Sequence, residues 1–345
     1  MSRPRRRVLI CDDSRTYAAA LARVVGHGDE LEVVGVASTA EQAIKELPSV
    51  RPDLVTMDLE LPGMSGLDAV EEIMSKHPVP ILVVSSHVGP RSERAAAALA
   101  AGAIDAVAKE ELDLRDPENA AAAALRGRLA LLSGVHVIRH PRANLNGGST
   151  RSARVRRTAR AIGICASTGG PQALAAVLAV LPAAFPVPVL VVQHMSRGFT
   201  EGLVRWLDRV VPIRVALASA GQHASPGVWV APEGAHLALD ASAQFTLDRR
   251  ELGLHRPSGD VLLRSLAEHA GRGAVSVVLT GMGRDGAAGS RAVREAGGLT
   301  IAQDEASSVV FGMPLAAAEE GVDLVLPLDR IGQELASLAA VEVGR

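Results

Sequence analysis

The sequence predicts an α/β protein of two domains, each built on a parallel sheet with helices on both faces. Short apolar runs alternate with longer amphipathic stretches through both halves of the chain, which is the pattern of doubly wound sheets. Runs such as ILVVSS, VLVVQHM and VSVVLTG are apolar without interruption, as expected of strands buried on both faces. All Trp and Phe residues lie in the second half, so we expect two different cores.

The composition is that of a globular protein. Hydrophobic residues make up 48% and charged residues 21% of the chain, which argues against a disordered or fibrous protein. The formal charge of −2 indicates no general attraction to nucleic acid or to a membrane surface. No apolar stretch approaches the roughly 20 residues that span a bilayer. We therefore expect a protein that binds no nucleic acid and is not inserted in a membrane.

Two further features favour the cytoplasm. The basic amino terminus leads into an apolar run that Asp12 and Asp13 interrupt after four residues, too early for a signal peptide. The two cysteines, Cys11 and Cys165, lack a CxxC spacing, so neither a disulfide nor a zinc site is predicted.

The first domain is predicted over residues 5–125 as a receiver-type, doubly wound (βα)5 parallel sheet. Amphipathic stretches such as SRTYAAALARVV and TAEQAIKEL separate its apolar runs and predict the covering helices. The five predicted strands are VLIC, LEVVGVA, LVTMD, PILVVSS and AIDAVAK.

A basic segment, residues 126–158, follows and is interpreted as a flexible linker. It is rich in Gly, Ser, Asn and Arg, and no Asp or Glu occurs between Glu118 and Glu201. A nucleic-acid tail is the less favoured reading because no recognition helix or aromatic-rich motif accompanies the charge.

The second domain is predicted over residues 159–343 as a doubly wound, mainly parallel α/β hydrolase domain. Its predicted strands are AIGICAS, PVLVVQHM, GVWVAP, VSVVLTGMG and LTIAQD.

Polar residues follow the predicted strands of the first domain. They are Asp12, Asp13, Asp58, Ser85 and Lys109. Reactive groups of parallel sheets collect beyond the carboxyl ends of the strands, and clustered carboxylates there need a cation such as Mg²⁺. The lysine and the hydroxyl could hold phosphoryl oxygens, with Asp58 as the nucleophile for phosphorus. Any one of these aspartates could instead be a helix cap.

The first domain resembles response-regulator receiver domains through CDDS, MDLELPGMSG, VVSS and GAIDAVAK. The resemblance implies phosphorylation of Asp58 by a histidine kinase, with Mg²⁺ held by Asp13 and Asp58 and supported by Asp12. In one respect this sequence departs from the family, because Ala106 stands where receivers usually carry an aromatic residue. Tyr17 is the only aromatic residue of the domain, so an aromatic switch at position 106 is excluded.

In the second domain, ASTGGP predicts a strand, a tight turn and a helix, with Ser167 in the turn. Gly169 and Gly170 allow a close bend and Pro171 suits the first helical turn, so free N–H groups would face the same space as the hydroxyl. The phosphate-binding GxxxxGK[ST], the dinucleotide GxGxxG and the hydrolase GxSxG patterns are all unmet.

A general base and an orienting acid are candidates at two other strand ends. His194 ends PVLVVQH, and Asp285 lies in GMGRDG just beyond VSVVLT. A serine hydroxyl becomes a nucleophile when a base takes its proton and a third group orients the base. Spacing alone leaves the triad open, because each residue could be a cap or a structural side chain. Asp304 in IAQDEASS is a rival for the acid.

The second domain resembles the catalytic domain of chemotaxis protein-glutamate methylesterases through ASTGGP, QHM, APEGAHL, LTGMGRDG and FGMPLAA. These enzymes also deamidate receptor glutamines. The resemblance implies Ser167 as nucleophile, His194 as general base and acid, and Asp285 as the orienting carboxylate. It also implies the Met282 N–H at the oxyanion, Thr168 in support, and no cofactor for hydrolysis.

The two resemblances together predict a phosphorylation-activated methylesterase and glutaminase acting on chemoreceptors. One alternative is a related serine hydrolase that acts on another ester or amide outside motility. The other is a non-catalytic, phospho-dependent binding module.

Overall fold

A computed structural model describes residues 4–85, 91–135, 159–251 and 255–339. The chain divides into two compact units, the first carrying strands β1–β5 and the second β6–β14. Among the described residues, no helix combines the length and apolar character needed to cross a bilayer.

The first unit is a five-stranded parallel sheet with strand order β2-β1-β3-β4-β5. Its elements are β1 (Arg6–Cys11), α1 (Arg15–Val25), β2 (Leu31–Ala37), α2 (Ala40–Val50), β3 (Leu54–Met57), α3 (Gly66–Lys76), β4 (Ile81–Ser85), α4 (Arg91–Ala101), β5 (Asp105–Ala108) and α5 (Ala120–Leu132). Every residue of β3, β4 and β5 is buried, which agrees with their mostly apolar sequences.

Side-chain caps start several helices of this unit. The hydroxyls of Ser14, Thr39 and Ser65 each accept a backbone N–H in the first turn of α1, α2 and α3, as the preference for Ser and Thr at helix starts predicts. Helix α5 continues to Leu132 with Leu125, Leu129 and Leu132 buried. The boundary predicted at residue 125 therefore falls inside a helix, because apolar residues at helical spacing continue past it. Residues 136–158 of the predicted linker lie outside the described residues.

The second unit carries a seven-stranded sheet with strand order β14-β13-β12-β6-β7-β9-β8, parallel at every pairing. The elements from β6 onward are β6 (Ala161–Ala166), α6 (Gly170–Leu178), β7 (Pro188–Gln193), α7 (Thr200–Val210), β8 (Val215–Leu217), β9 (Gly227–Val230), β10 (His236–Leu239), β11 (Phe245–Asp248), α8 (Gly259–Ala270), β12 (Ala274–Val278), α9 (Ala287–Glu295), β13 (Leu299–Gln303), α10 (Met313–Glu319), β14 (Leu324–Leu326) and α11 (Leu328–Ala339). All of them belong to the second unit except the start of α7, because Met195–Leu203 is assigned to the first.

The structure contains elements of the second unit that the sequence reasoning missed. Strands β8 and β14 are three-residue edge strands with partly exposed side chains, so neither has a strong apolar pattern. Strands β10 and β11 form a separate antiparallel pair. The five predicted strands correspond to β6, β7, β9, β12 and β13.

Each sheet has a point at which the chain reverses its direction of strand addition. In the first unit this switch point lies between β1 and β3, and in the second it lies between β6 and β12. The crevice beyond the carboxyl ends of the strands at such a point is where α/β sheets bind ligands.

Candidate functional sites

Ser167 follows β6 directly, at the switch point of the second sheet. Its N–H donates to Thr280 O at 3.0 Å, and the Gly170 N–H donates to Ser167 O at 2.8 Å. Gly169 has φ +75°, a left-handed conformation that glycine adopts without strain. A Cβ at Gly281 would lie 2.7 Å from Ser167 Cβ, so this close approach also requires glycine. The turn therefore fixes the backbone of Ser167 between β6 and the residues beyond β12.

His194 follows β7, the strand next to β6. Its N–H donates to Ala166 O at 2.9 Å, which brings it beside the Ser167 turn. Its ring Nε2 lies 2.8 Å from Asp285 Oδ2. The other ring nitrogen, Nδ1, is buried and has no hydrogen-bond partner among the residues that the structure describes. Nδ1 is thus the nitrogen left to accept a proton. The hydrogen bond between a catalytic base and the group that it deprotonates often tightens only when substrate binds.

The Asp285 carboxylate is held by the start of helix α8. Its Oδ1 accepts the Ser258 hydroxyl at 2.8 Å and the Asp260 N–H at 3.0 Å, and its Oδ2 accepts the Gly259 N–H at 2.5 Å. Free N–H groups and the helix dipole at a helix start both favour a negative charge. With His194 on Oδ2 as well, the carboxylate is fully hydrogen-bonded and points its second oxygen at the imidazole.

These contacts set the charge of Asp285. Burial alone would raise the pKa of this carboxyl, but the hydrogen bonds from His194 and from the N–H groups of Asp260 and Gly259 lower it well below its usual value. Asp285 therefore stays ionised and can balance a positive charge on His194 without taking its proton.

A second carboxylate ties the loop of Asp285 to the same helix. Asp260 Oδ1 accepts the Gly286 N–H at 3.0 Å and the Gly289 N–H at 2.7 Å. Asp285 thus caps α8 while Asp260, in the first turn of α8, caps α9. Each of the two carboxylates thus accepts N–H groups from the segment that carries the other, and together they fix the loop of Asp285 relative to α8.

His255 contacts the imidazole of His194 from another direction. The two rings stack with their centroids 4.3 Å apart and their planes at 14°. Burial, followed by the charge of His194, lowers the pKa of His255, and Asp285 opposes that shift. A neutral ring against one face of His194 restricts the orientations that the base can adopt.

The predicted supporting residues lie at the same strand ends. Thr168 is buried, and its carbonyl accepts the Thr280 hydroxyl at 2.9 Å. The Gly281 carbonyl accepts the Met313 N–H at 2.8 Å, which fixes the peptide plane that carries the Met282 N–H. Because the C=O and N–H of a trans peptide point in opposite directions, the Met282 N–H faces away from Met313.

Two other residues near the site have structural roles. The Asp304 carboxylate accepts the Ser307 N–H at 3.0 Å and the Ser307 hydroxyl at 2.6 Å, so the rival acid stabilises a turn. Cys165 is fully buried, and burial together with the nearby Asp285 and Asp260 raises the pKa of its thiol well above the usual value. This cysteine is a neutral core residue.

The first unit brings its five predicted polar residues to one edge of the sheet. Lys109 Nζ lies 2.6 Å from Asp12 Oδ2 and 2.6 Å from Asp58 Oδ2. Ser85 is fully buried at the end of β4, and its hydroxyl has no hydrogen-bond partner within the described part of the chain. Asp13 is exposed.

The pKa shifts follow from this crowding. Burial raises the pKa of Asp58, although the hydrogen bonds from Lys109 and the Glu60 N–H oppose the rise. Burial lowers the pKa of Lys109, but its hydrogen bonds to Asp12 and Asp58 outweigh burial and raise it overall. The ammonium group therefore stays charged and partly compensates the buried carboxylates.

The same carboxylates fit a small divalent cation. Asp12, Asp13 and Asp58 each offer one oxygen, and these three oxygens lie within 4.8 Å of one another. Mg²⁺ binds through one or two carboxylates and keeps several waters, for which the exposed Asp13 leaves room. The donor set is thus compatible with the cation that receiver domains use.

Comparison with known proteins assigns the chain to a family. The CheB methylesterase family matches residues 162–335, and the response regulator receiver domain matches residues 8–116. The chain belongs to the CheB methylesterase family. The fold class and both resemblances predicted from the motifs are confirmed.

Relatives of this family cover nearly the whole chain. "Protein-glutamate methylesterase/protein-glutamine glutaminase 3" of Myxococcus xanthus is 43% identical over 93% of this chain and 90% of its own length. "Protein-glutamate methylesterase/protein-glutamine glutaminase" of Salmonella choleraesuis is 38% identical over 98% of each chain. The crystal structure of the Thermotoga maritima CheB methylesterase catalytic domain matches with 40% identity and a TM-score of 0.51, covering 52% of this chain and 99% of that one.

Sequence reasoning missed the segment that completes the second site. His255, Ser258 and Asp260 contact the triad or its loop, yet they stand 25 or more positions before Asp285. Serine is a preferred residue at the start of a helix, and the Ser258 hydroxyl accepts the Val261 N–H in the first turn of α8. That signal predicts the beginning of α8 but carries no information about what the helix start faces.

Proposed function

We propose that this chain is a phosphorylation-activated protein-glutamate methylesterase that also deamidates glutamine side chains of chemoreceptors. The observation that carries the proposal is the His194–Asp285 pair at 2.8 Å, placed beside Ser167 at the switch point of the sheet. Family membership supports the activity, because the curated relatives are named for both reactions.

Hydrolysis proceeds by two acyl transfers. His194 Nδ1 takes the Ser167 proton, and Oγ attacks the γ-carbonyl carbon of a glutamate methyl ester. The carbonyl electron pair moves to the oxygen, where the Met282 N–H donates to it. The tetrahedral species collapses, the ester C–O bond breaks, and methanol leaves with the proton from His194. Water then repeats the sequence to release glutamate and free Ser167.

Deamidation follows the same path with ammonia as the leaving group. The C–N bond breaks only once the nitrogen has been protonated, so the reaction depends more strongly on His194 as an acid. Asp285 remains an anion throughout and stabilises the imidazolium in each step.

The receiver supplies the control. An Asp58 oxygen attacks the phosphorus of a phosphohistidine in a partner kinase, the P–N bond breaks, and its electron pair stays with the kinase imidazole. Lys109 offsets the negative charge beside Asp58, and the Ser85 hydroxyl is available to a phosphoryl oxygen. Asp12, Asp13 and Asp58 would hold Mg²⁺, which neutralises phosphoryl charge when bound.

Methanol release from membranes carrying methylated receptor tests both halves of the proposal. Release should rise when a phosphodonor is added, stay at the basal level in Asp58→Asn, and fall by several orders of magnitude in Ser167→Ala. Near-normal release from Ser167→Ala would overturn the nucleophile. A generic ester cleaved better than the methylated receptor would favour a hydrolase with another substrate.

A further inference from the structure

The ammonium group of Lys109 is held from two sides. Asp12 and Asp58 each lie 2.6 Å from Nζ, and the ring of Tyr17 covers Nζ at 4.5 Å from its centroid. An aromatic face within about 6 Å of an ammonium group attracts it, more strongly where water is excluded. Only 18% of the Lys109 side chain is exposed. The ring therefore contributes to the position of the lysine that compensates Asp58.

The Tyr17 ring is not anchored through its hydroxyl. The hydroxyl oxygen is buried, and none of the residues that the structure describes is hydrogen-bonded to it. A buried hydroxyl without a partner is unfavourable, so it does not by itself favour this ring position. The backbone of Tyr17 is fixed, because its N–H donates to Ser14 Oγ in the first turn of α1. Its ring thus depends on packing and on the contact with Lys109.

The ring also lines a groove on the surface of the receiver. This groove has a volume of about 720 Å³ and lies between α1 and residues 110–115. Among its lining residues, Arg23 donates to Leu114 O at 3.1 Å and to Arg115 O at 2.9 Å. Tyr17 therefore contacts the phosphoryl-accepting site with its face and belongs to the wall of an open groove.

We propose that Tyr17 positions Lys109 for phosphoryl transfer and changes its ring environment when Asp58 is phosphorylated. This inference rests on the proposed function, because it requires Asp58 as the phosphoryl acceptor. Phosphorylation adds negative oxygens beyond Asp58, and the ammonium of Lys109 is drawn toward them. The ring then loses part of its contact with the cation, and the groove wall changes with it.

The chain contains a single tyrosine, so a labelled tyrosine reports on Tyr17 alone. The full chain with 3-fluorotyrosine should give one ¹⁹F resonance, which we expect to move when acetyl phosphate and Mg²⁺ are added. In Asp58→Asn, adding acetyl phosphate together with Mg²⁺ should leave the resonance where Mg²⁺ alone places it. Phosphoryl incorporation is measured on the same samples.

The measurement of phosphoryl incorporation separates the proposal about Asp58 from the proposal about Tyr17. If phosphoryl enters the wild type through Asp58 and the resonance stays still, the role of Tyr17 is overturned while Asp58 stands. If no phosphoryl is incorporated, the assignment of Asp58 fails and the inference about Tyr17 fails with it.

Two substitutions test the positioning role through the rate of phosphorylation by acetyl phosphate. Tyr17→Leu removes the π face and should slow the reaction about 2- to 30-fold, the range that corresponds to a cation–π contact. Tyr17→Phe keeps the ring and should phosphorylate at close to the wild-type rate. Equal rates for Tyr17→Leu and the wild type, or equal losses in both variants, would overturn the proposal. The fluorine experiment uses the unsubstituted chain, so it decides even if Tyr17→Leu does not fold.

Discussion

The two sites occupy the same place in their sheets but control charge in opposite ways. Each lies at a switch point, between β1 and β3 in the receiver and between β6 and β12 in the catalytic unit. The receiver gathers three carboxylates at the ends of β1 and β3, and two of them, those of Asp12 and Asp58, lie 2.6 Å from the Lys109 ammonium group. In the catalytic site one carboxylate, that of Asp285, faces the imidazole, and N–H groups at the start of a helix hold it. Charge is compensated by a side-chain ammonium group in the first site, and by the His194 ring, the Ser258 hydroxyl and two backbone N–H groups in the second.

This difference predicts what each site tolerates. A cluster of like charges depends on its counter-ion, so loss of the lysine affects stability and can be offset by another cation. An anion held by backbone N–H groups keeps its place when side chains change, but its chemistry depends on its own charge and direction.

The largest effect is expected when the catalytic carboxylate loses its charge. Asp285→Asn keeps the size of the side chain but cannot balance the imidazolium, so methanol release should fall by about 10⁴-fold. Asp304→Asn is the matched control, because that carboxylate bonds Ser307 and should change the rate little. Equal losses in the two variants would contradict the assignment of Asp285.

The corresponding change in the receiver is Lys109→Met, which should act on stability. Removing the ammonium leaves Asp12 and Asp58 buried without compensation, which should cost about 3 kcal/mol of unfolding free energy at neutral pH. Hydrogen exchange of the β1 and β3 amides measures this loss, and added Mg²⁺ should restore part of it.

The control for that loss is Lys76→Met. Lys76 is exposed and pairs with Glu72 one helical turn away, so the substitution should cost about 0.3 kcal/mol. A loss from Lys109→Met as small as this would show that the receiver carboxylates do not need the lysine.

Gly281→Ala tests how strictly the catalytic site depends on geometry. The new Cβ would meet Ser167 Cβ at 2.7 Å and would also meet Met313 Sδ, so the nucleophile must shift. We expect kcat for methanol release to fall by about 10²-fold, the effect of a misplacement of about 1 Å. Gly127→Ala lies in helix α5 with nothing within 4 Å of the added Cβ, and it should leave kcat unchanged. Unchanged kcat in Gly281→Ala would mean that the surrounding residues accommodate the added Cβ without moving Ser167.

The smallest expected effect concerns His255 and its stacking on His194. His255→Ala should lower kcat about 2- to 10-fold, as expected for loss of an aromatic pair. His255→Phe keeps the stack and should retain most of the activity. A full loss in the Phe variant would show that the imidazole itself, and not the stack, matters.

The same pair of variants predicts a pH dependence with a definite sign. Burial and His194 lower the pKa of His255 in the folded protein, so the unfolded chain takes up its proton more readily. The contribution of a neutral His255 to stability is therefore present above its unfolded pKa of about 6.5 and is lost as the pH falls. Thermal unfolding between about pH 7 and pH 5 should show a smaller decline in His255→Phe than in the wild type.

The sequence predicted the receiver site more fully than the catalytic one, and the reason is physical. Parallel strands end at one edge of the sheet, so Asp12, Asp58 and Lys109 meet once the strands are recognised. Strand assignment needs only the apolar runs, which the chain shows clearly for β3, β4 and β6. Ser167 and His194 likewise follow apolar runs that predict strands, but the spacing of Asp285 and Asp304 left the acid open between them.

The sequence by itself determined the α/β class, the two domains and the residues that lie at the carboxyl ends of the strands. Only the tertiary structure decided that Asp285 faces His194, that the start of α8 holds it, and that Tyr17 covers Lys109. Strand burial is encoded in a local, periodic pattern of apolar residues. Which loop faces which helix start depends on contacts between segments far apart in the chain, and these become defined only when the sheet and its helices pack together.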